Sequence, residues 1–294
     1  MAHPLPSPAP PTHLVRVIAS GSSGNAVFVR LGDTRLLLDA GIPVPRIREG
    51  LADIGESLER LDAVLITHEH GDHIVGVPHL RPHIGDTPIL CTDGTAAHLR
   101  RKAKVGGIER VEAGVALQLG GLTITPFATS HDAAEPVGYR IEDATTAIAL
   151  ATDLGESSPG VVHALLDCQL ILLEANYCVD MLRQGPYPWF LKRRISSRKG
   201  HLSNDQMREL LRRVAGPRLQ HVLLCHLSEE NNAPGVAFNL ASQAVEAVGR
   251  SNIGLTVAER TAPTAPVAIR KAPPAGRPAP PPPPPRQLGF SFME

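Results

Sequence analysis

Cysteine is scarce in this 294-residue chain: Cys91, Cys168, Cys178 and Cys225 lie far apart, with no C-x-x-C pair. Such spacing argues against a disulfide framework and fits a reducing compartment, the cytoplasm. An excess of charge of one sign is also missing. The formal net charge is zero, so any affinity for a polyanion must come from local patches. No uninterrupted apolar run is long enough to span a bilayer, which argues against a membrane-spanning helix, and no membrane partner is expected. Met1 to Pro11 is proline-rich without an apolar stretch, so no signal peptide is expected. That counts against a secreted enzyme. No internal repeat is visible.

What is present is ordinary folded-domain texture over roughly residues 14–260. Hydrophobic residues make up 43% of the chain, enough for a full core in one large domain or two small ones. Short β-rich runs recur at Leu14–Ala19, Ala26–Leu31, Arg35–Ala40, Ala63–Thr67, Pro88–Thr92, Leu122–Thr129, Val137–Ile141, Ala147–Thr152, Gln169–Glu174 and Val222–Cys225. Helical patterns fall near Val44–Asp53, Gly94–Lys102, Pro159–Leu166, Asn204–Val214 and Gly235–Gly249. In the last, Val236, Leu240, Ala244 and Val248 repeat at helical spacing and mark the expected buried stripe. Strands interleaved with helices predict an α/β sandwich, two sheets covered by helices.

Composition changes after Glu259. Residues 1–13 and 261–294 are expected to be disordered, because Thr261–Arg286 is Ala/Pro-rich and includes the unbroken run Pro280–Pro285. Apolar side chains return only at Gln287-Leu288-Gly289-Phe290-Ser291-Phe292.

The most informative segment is Thr67-His68-Glu69-His70-Gly71-Asp72-His73, directly behind the apolar run Ala63-Val64-Leu65-Ile66. His68 and His70 are two apart, so in an extended segment both point the same way. Asp72 and His73 follow the Gly71 bend and can face a second point. Imidazole with carboxylate is the donor mix taken by Zn²⁺, Mn²⁺ or Fe²⁺, and the turn offers enough donors to begin two adjacent sites. Further candidates sit where other apolar strands stop: His131 after Leu122–Thr129, Asp153 after Ala147–Ala151, and His226 after Val222–Cys225. Singly, each could be a capping residue. The remaining histidines lack such context.

H-x-H-x-D-H followed in order by His, Asp and His resembles the ligand order of the metallo-β-lactamase fold superfamily of hydrolases. The loop Ser20-Gly21-Ser22-Ser23-Gly24-Asn25 and the element Leu38-Asp39-Ala40-Gly41 are similar to that family's opening strands. The resemblance implies an αββα sandwich, two mixed β-sheets flanked by helices. It implies two divalent metal ions per chain, Zn or Mn. His68, His70 and His131 would hold one and Asp72, His73 and His226 the other, with Asp153 shared. Asp72 would also accept the proton of the attacking water.

Later blocks narrow the branch. Glu174-Ala175-Asn176, Gly185-Pro186-Tyr187-Pro188-Trp189, Gly200-His201-Leu202-Ser203-Asn204 and His226-Leu227-Ser228-Glu229-Glu230 resemble the YycJ/WalJ branch. Its members are described as 5′→3′ DNA exonucleases, some tied to mismatch repair. Gly200-His201 also resembles a ribonuclease Z block in which the histidine is the proton donor, backed by a glutamate placed like Glu174. The resemblance therefore makes Asp72, His201 and Glu174 the catalytic set, and DNA a better substrate than RNA. An RNA-processing enzyme of the ribonuclease Z or J type, or a thioester hydrolase, is the alternative. No room exists between Asp153 and His201 for the inserted domain of ribonuclease J, and no long tRNA-holding arm is visible.

Lys192, Arg193, Arg194, Arg198 and Lys199 cluster just before His201. With Trp189 and Tyr187 they could track a phosphate backbone and stack a base, although a solvated basic loop is the plain alternative. Arg100, Arg101, Lys102 and Lys104 form a second, less pointed run. The terminal Gln287, Leu288, Phe290 and Phe292 resemble the Q-L-x-Φ-x-Φ peptides that dock on the bacterial sliding clamp, here on a flexible tether.

Overall fold

The computed structural model describes residues 12–271, with the side chains of residues 102 and 103 excepted. The leader 1–11 and the terminal peptide Gln287–Phe292 lie outside these residues. Two seven-stranded sheets face each other. In the first half of the chain run β1 His13–Ala19, β2 Ala26–Leu31, β3 Thr34–Leu38, α1 Val44–Ala52, β4 Ala63–Leu65, α2 Gly71–Ile74, α3 Val77–Leu80, β5 Ile89–Cys91, α4 Asp93–His98 and β6 Ile108–Arg110. The second half holds β7 Leu117–Leu119, β8 Leu122–Ala128, β9 Val137–Glu142, β10 Ala147–Ala151, α5 Pro159–Leu165, β11 Leu170–Glu174, α6 Val179–Gln184, α7 Trp189–Ile195, α8 Asn204–Val214, β12 His221–Cys225, α9 Pro234–Ala247, β13 Gly254–Val257 and β14 Val267–Ala268. All ten strand runs read from the sequence are strands. β6, β7, β13 and β14 escaped that reading because each is four residues or fewer and partly exposed.

Each sheet changes character halfway. β1, β2 and β3 pair antiparallel, whereas β3, β4, β5 and β6 pair parallel. The second sheet repeats this: β7 through β10 antiparallel, then β10 through β13 parallel. Parallel strands need crossover helices, which cover the outer faces, so the inner parallel strands β4, β5, β10 and β11 are buried on both sides and read as apolar runs. Alternation sorts the side chains. Leu36 and Leu38 face the space between the sheets, and Leu37 faces the outer core under α1. Leu170 and Leu172 point inward, and Ile171 and Leu173 meet α8 and α9.

Two expectations need correcting. The buried stripe of α9 is Ala237, Ala241, Ala244 and Val245; Val236 and Val248 are exposed. Alanines let α9 approach the sheet and α8 closely, a contact that a stripe of larger residues would hold apart. The segment after Glu259 is not all tail. Val267 pairs with Val15, Ile269 N bonds His13 O, and Ile269 is buried. The buried Arg16 guanidinium donates to Thr264 O and Gly50 O. Residues 261–271 thus form a strap along β1, whose backbone hydrogen bonds and buried Ile269 do not depend on an apolar composition.

Candidate metal centre

All of the sequence-selected donors lie at one pole, the carboxyl ends of β4, β8, β10, β11 and β12. This is the end at which open α/β sheets present ligand sites. β4 delivers Thr67 and His68. Alternation beyond it sends His68 and His70 together, with ring centroids 4.6 Å apart, and turns Glu69 away to accept from Ala134 N at 2.8 Å. α2 then carries Asp72 and His73 back toward β3. The turn sits directly on Gly41, where a Cβ would overlap the Asp72 carbonyl; Asn25 N donates to that same oxygen at 2.8 Å. Asp39, Asp153 and His226 have φ of 59°, 57° and 59°. Three non-glycine residues held in the left-handed region at neighbouring strand ends is strain concentrated at a site.

The side chains converge. Potential ligand atoms of His68, His70 and His131 lie within 4.8 Å of one another, as do those of Asp72, His73 and His226, and those of His68, His73 and Asp153. His73 Nε2 is 3.4 Å from Asp153 Oδ2 and 3.5 Å from Asp72 Oδ2. His226 Nε2 is 3.4 Å from Asp72 Oδ2, and His131 Nε2 is 3.6 Å from Asp153 Oδ1. Meanwhile the Nδ1 atoms are tied outward. His73 Nδ1 donates to Asp39 Oδ2 at 2.8 Å, and His131 Nδ1 donates to Gly200 O at 3.0 Å. An imidazole whose one nitrogen donates to a carboxylate or carbonyl presents the other as a bare lone pair, the usual setting of a metal-ligating histidine. Two buried atoms of the cluster, His68 Nε2 and Asp153 Oδ2, have no hydrogen-bond partner among the described residues. Leaving such atoms unpaired costs about 1–3 kcal/mol each, a cost a bound cation removes. The donor set fits a divalent metal.

Charge balance says the same. Burial pushes the His73 imidazole down, but Asp39, Asp153 and Asp72 outweigh it and pull it up to about 10. Burial likewise works against the charge of Asp153, yet the surrounding His226, His73, His68 and His131 hold its carboxyl well below the usual range. Asp72 is held low by His226 and His73 despite its burial. Without a cation these acids draw protons onto the imidazoles. His68 and His131 go the other way: burial lowers both, and neighbouring imidazoles help drive His68 well below the ordinary value.

Glu174, fully buried at the end of β11, adds a second function. Oε1 accepts from His201 Nδ1 at 2.7 Å and lies 3.3 Å from His226 Nδ1; Oε2 accepts from Leu154 N and Leu202 N. The His201 ring stands 5.0 Å from His131 and 5.1 Å from His226, centroid to centroid. The bond to Glu174 occupies its Nδ1, and the His201 side chain keeps 20% of its surface exposed. Asp153, Glu174, His201 and His226 also form a ligand-capable group.

The basic run before His201 is less free than its sequence suggests. Lys192 Nζ donates to Arg183 O, Arg194 pairs with Asp132 at 2.6 Å and Arg198 with Glu156 at 2.7 Å. Arg193 and Lys199 have no carboxylate partner among the described residues. Sequence reasoning gave no role to Asp39, Asn176 or Asp132. Asp39 aims His73, Asn176 Nδ2 donates to His226 O at 2.8 Å, and Asp132 joins Arg194 to the His131 loop. Asp39 and Asn176 sat inside quoted motif blocks and Asp132 directly after His131, which was the only signal available. Cys91, Cys168, Cys178 and Cys225 are all free. No helix among the described residues is long and apolar enough to cross a membrane.

A family model described as a β-lactamase superfamily domain matches residues 34–226. The chain is 37% identical over 226 residues to exodeoxyribonuclease WalJ of Streptococcus pneumoniae, covering 75% of this chain and 84% of that protein. It is 33% identical over 237 residues to exodeoxyribonuclease YycJ of Bacillus anthracis, covering 79% and 89% respectively. The solved structure of YhfI from Bacillus subtilis, a metallo-β-lactamase fold protein, superposes with a TM-score of 0.63 at 17% identity, over 86% of this chain and 99% of that one. At that identity the likeness speaks for the fold alone.

Proposed function

The chain belongs to the β-lactamase superfamily of metal-dependent hydrolases, in its WalJ/YycJ branch, and from that premise we propose that it is a dinuclear 5′→3′ DNA exonuclease of repair or replication. The observation that carries the proposal is the Glu174–His201 pair beside the donor cage. Hydrolysis of a phosphodiester expels an alkoxide-like oxygen, which needs a proton, and an oriented imidazole supplies one.

In this reading His68, His70 and His131 would hold one Zn²⁺ or Mn²⁺ and Asp72, His73 and His226 a second, with Asp153 a candidate ligand for both. The bound cations supply charge neutralisation of the phosphate and a more acidic water. Asp72 accepts the proton of the attacking water. His201 Nε2 protonates the leaving 3′-oxygen, while Glu174 keeps the other proton on Nδ1 and so fixes the tautomer. Arg193 and Lys199 meet flanking phosphates, and Arg194 and Arg198 add the guanidinium nitrogens their acid partners leave over. Lys192 acts by holding α7 to Arg183. The free cysteines support a cytoplasmic setting. Gln287, Leu288, Phe290 and Phe292 would bring the enzyme to the sliding clamp, a reading supported by the sequence pattern alone.

The test is a metal-supplemented cleavage assay on end-labelled single- and double-stranded DNA and RNA, with Asp72→Ala as control. Degradation of DNA from the 5′ end by the wild type only is expected. Preferential RNA cleavage would replace the proposal with an RNA-processing one, and inertness toward all four substrates would end it.

A further inference from the structure

Trp189 and Phe190, the first two residues of α7, are each 73% exposed. They are conspicuous in a chain with one tryptophan, three tyrosines and six phenylalanines, whose Phe28 and Tyr139 lie fully buried. α7 has no buried residue at all, so the pair does not serve a core. Two adjacent exposed aromatic rings on a helix without a core contribution have a use outside the fold.

The far end of the same helix is fastened to the metal centre. Ile195 O accepts from His201 N, Gly200 O from His131 Nδ1, and Arg198 O from Ser130 Oγ at 2.6 Å. From Trp189 to Ile195 the helix rises about 9 Å. Stacked nucleotides advance about 3.4 Å each, so the helix itself matches the length of about two to three nucleotides. The segment itself is basic: residues 189–201 include Lys192, Arg193, Arg194, Arg198 and Lys199 and no carboxylate, in a chain of zero net charge. Although Arg194 and Arg198 meet Asp132 and Glu156, Arg193 and Lys199 have no carboxylate partner among the described residues. Polyanion complementarity and bare π-faces together match one occupant, an unpaired nucleic-acid strand.

We propose that Trp189 and Phe190 stack on successive unpaired bases of the strand whose terminal phosphate enters the metal centre, so that the enzyme takes single-stranded or opened ends. The proposal rests on the nuclease reading above and specifies its substrate. Consecutive helical side chains point about 100° apart. The two rings therefore cannot sandwich one base and instead receive neighbouring ones. A base inside a duplex is covered on both faces, so a paired end must open before either ring can engage.

The experiment uses the full metal-loaded protein and a dT₁₂ strand with phosphorothioate ends to slow hydrolysis. An abasic residue, which keeps the phosphate and removes the base, is placed singly at each of the first six positions. For the wild type, two adjacent positions should each weaken binding about tenfold in an anisotropy titration, in line with the usual worth of one stack. Trp189→Ala should abolish the penalty at one of them and Phe190→Ala at the other, while Trp189→Phe retains it. Emission of Trp189, the sole tryptophan, should be quenched by the intact strand. Tight binding with no abasic-sensitive position, or equal penalties in wild type and Trp189→Ala, overturns the stacking proposal and leaves the nuclease reading standing. Failure to bind any strand overturns both. An emission change that follows protein concentration alone assigns the rings to a second copy of the chain and also overturns it.

Discussion

Glu174 and His201 are joined by a 2.7 Å hydrogen bond from Nδ1 to Oε1, and the same carboxylate oxygen lies 3.3 Å from Nδ1 of His226. One buried acid therefore aims both the proposed proton donor and a proposed metal ligand.

If His201 is the donor, His201→Ala should keep its metals and its DNA affinity and lose about 10²–10⁴-fold in rate. A substrate with a better leaving group should restore part of that loss, because it needs less protonation. Metal loss in this variant would make His201 a ligand instead, through the group it forms with Asp153, Glu174 and His226.

Glu174→Gln should do more than disturb His201. Its Oε2 accepts two backbone N–H groups, from Leu154 and Leu202. An amide cannot satisfy both these donors and both imidazoles. Slower turnover accompanied by weaker metal retention is expected, read by rate and by metal analysis of the same preparation. A rate loss with full metal retention would limit Glu174 to His201.

Metal analysis after Mn²⁺ or Zn²⁺ loading should give two ions per chain. Protons compete for the same nitrogens: His73 is drawn up to about 10 by Asp39, Asp153 and Asp72 against its burial, so it is protonated near neutrality in the metal-free protein. Ligation requires the neutral ring, and affinity should therefore rise from pH 6 to pH 8, with proton release in calorimetry. Pulling away the carboxylate behind His73 by Asp39→Asn should lower metal affinity or activity about 10–100-fold. A stoichiometry well below one, or binding indifferent to pH, would contradict this arrangement.

Truncation after Lys271 should leave thermal stability unchanged, whereas truncation after Ala258 should lower it. The shorter chain loses β14 and buried Ile269, a side chain worth roughly 1.5–3 kcal/mol when fully buried. It also strips Arg16 of Thr264 O. Equal melting temperatures would show that the strap is dispensable.

A peptide spanning Gln287–Phe292 should bind a sliding clamp with micromolar affinity, since ordering a free segment offsets part of the gain from its apolar anchors. Leu288→Ala with Phe290→Ala should remove the binding in a titration. No shift with the wild-type peptide would end the docking proposal without touching the nuclease one.

The sequence by itself determined the strands and the order of donors. β4 and β11 are buried on both faces, so residues 63–65 and 170–173 are apolar throughout, and polar residues such as Glu174 stand out where those runs stop. Alternation, a local rule, already sent His68 and His70 the same way. Tertiary structure decided what sequence distance hides. Asp39 and His73 are separated by 34 positions and Glu174 and His201 by 27, and their bonds exist only because parallel pairing stacks the carboxyl ends of β3, β4, β10, β11 and β12 at one pole. The strap at 261–271 was illegible for the opposite reason: its hold is made by backbone groups and a buried arginine, which composition does not record. Whether Trp189 and Phe190 belong to a core or to a surface was equally a matter of packing, settled by the exposure of both rings on a helix with no buried residue.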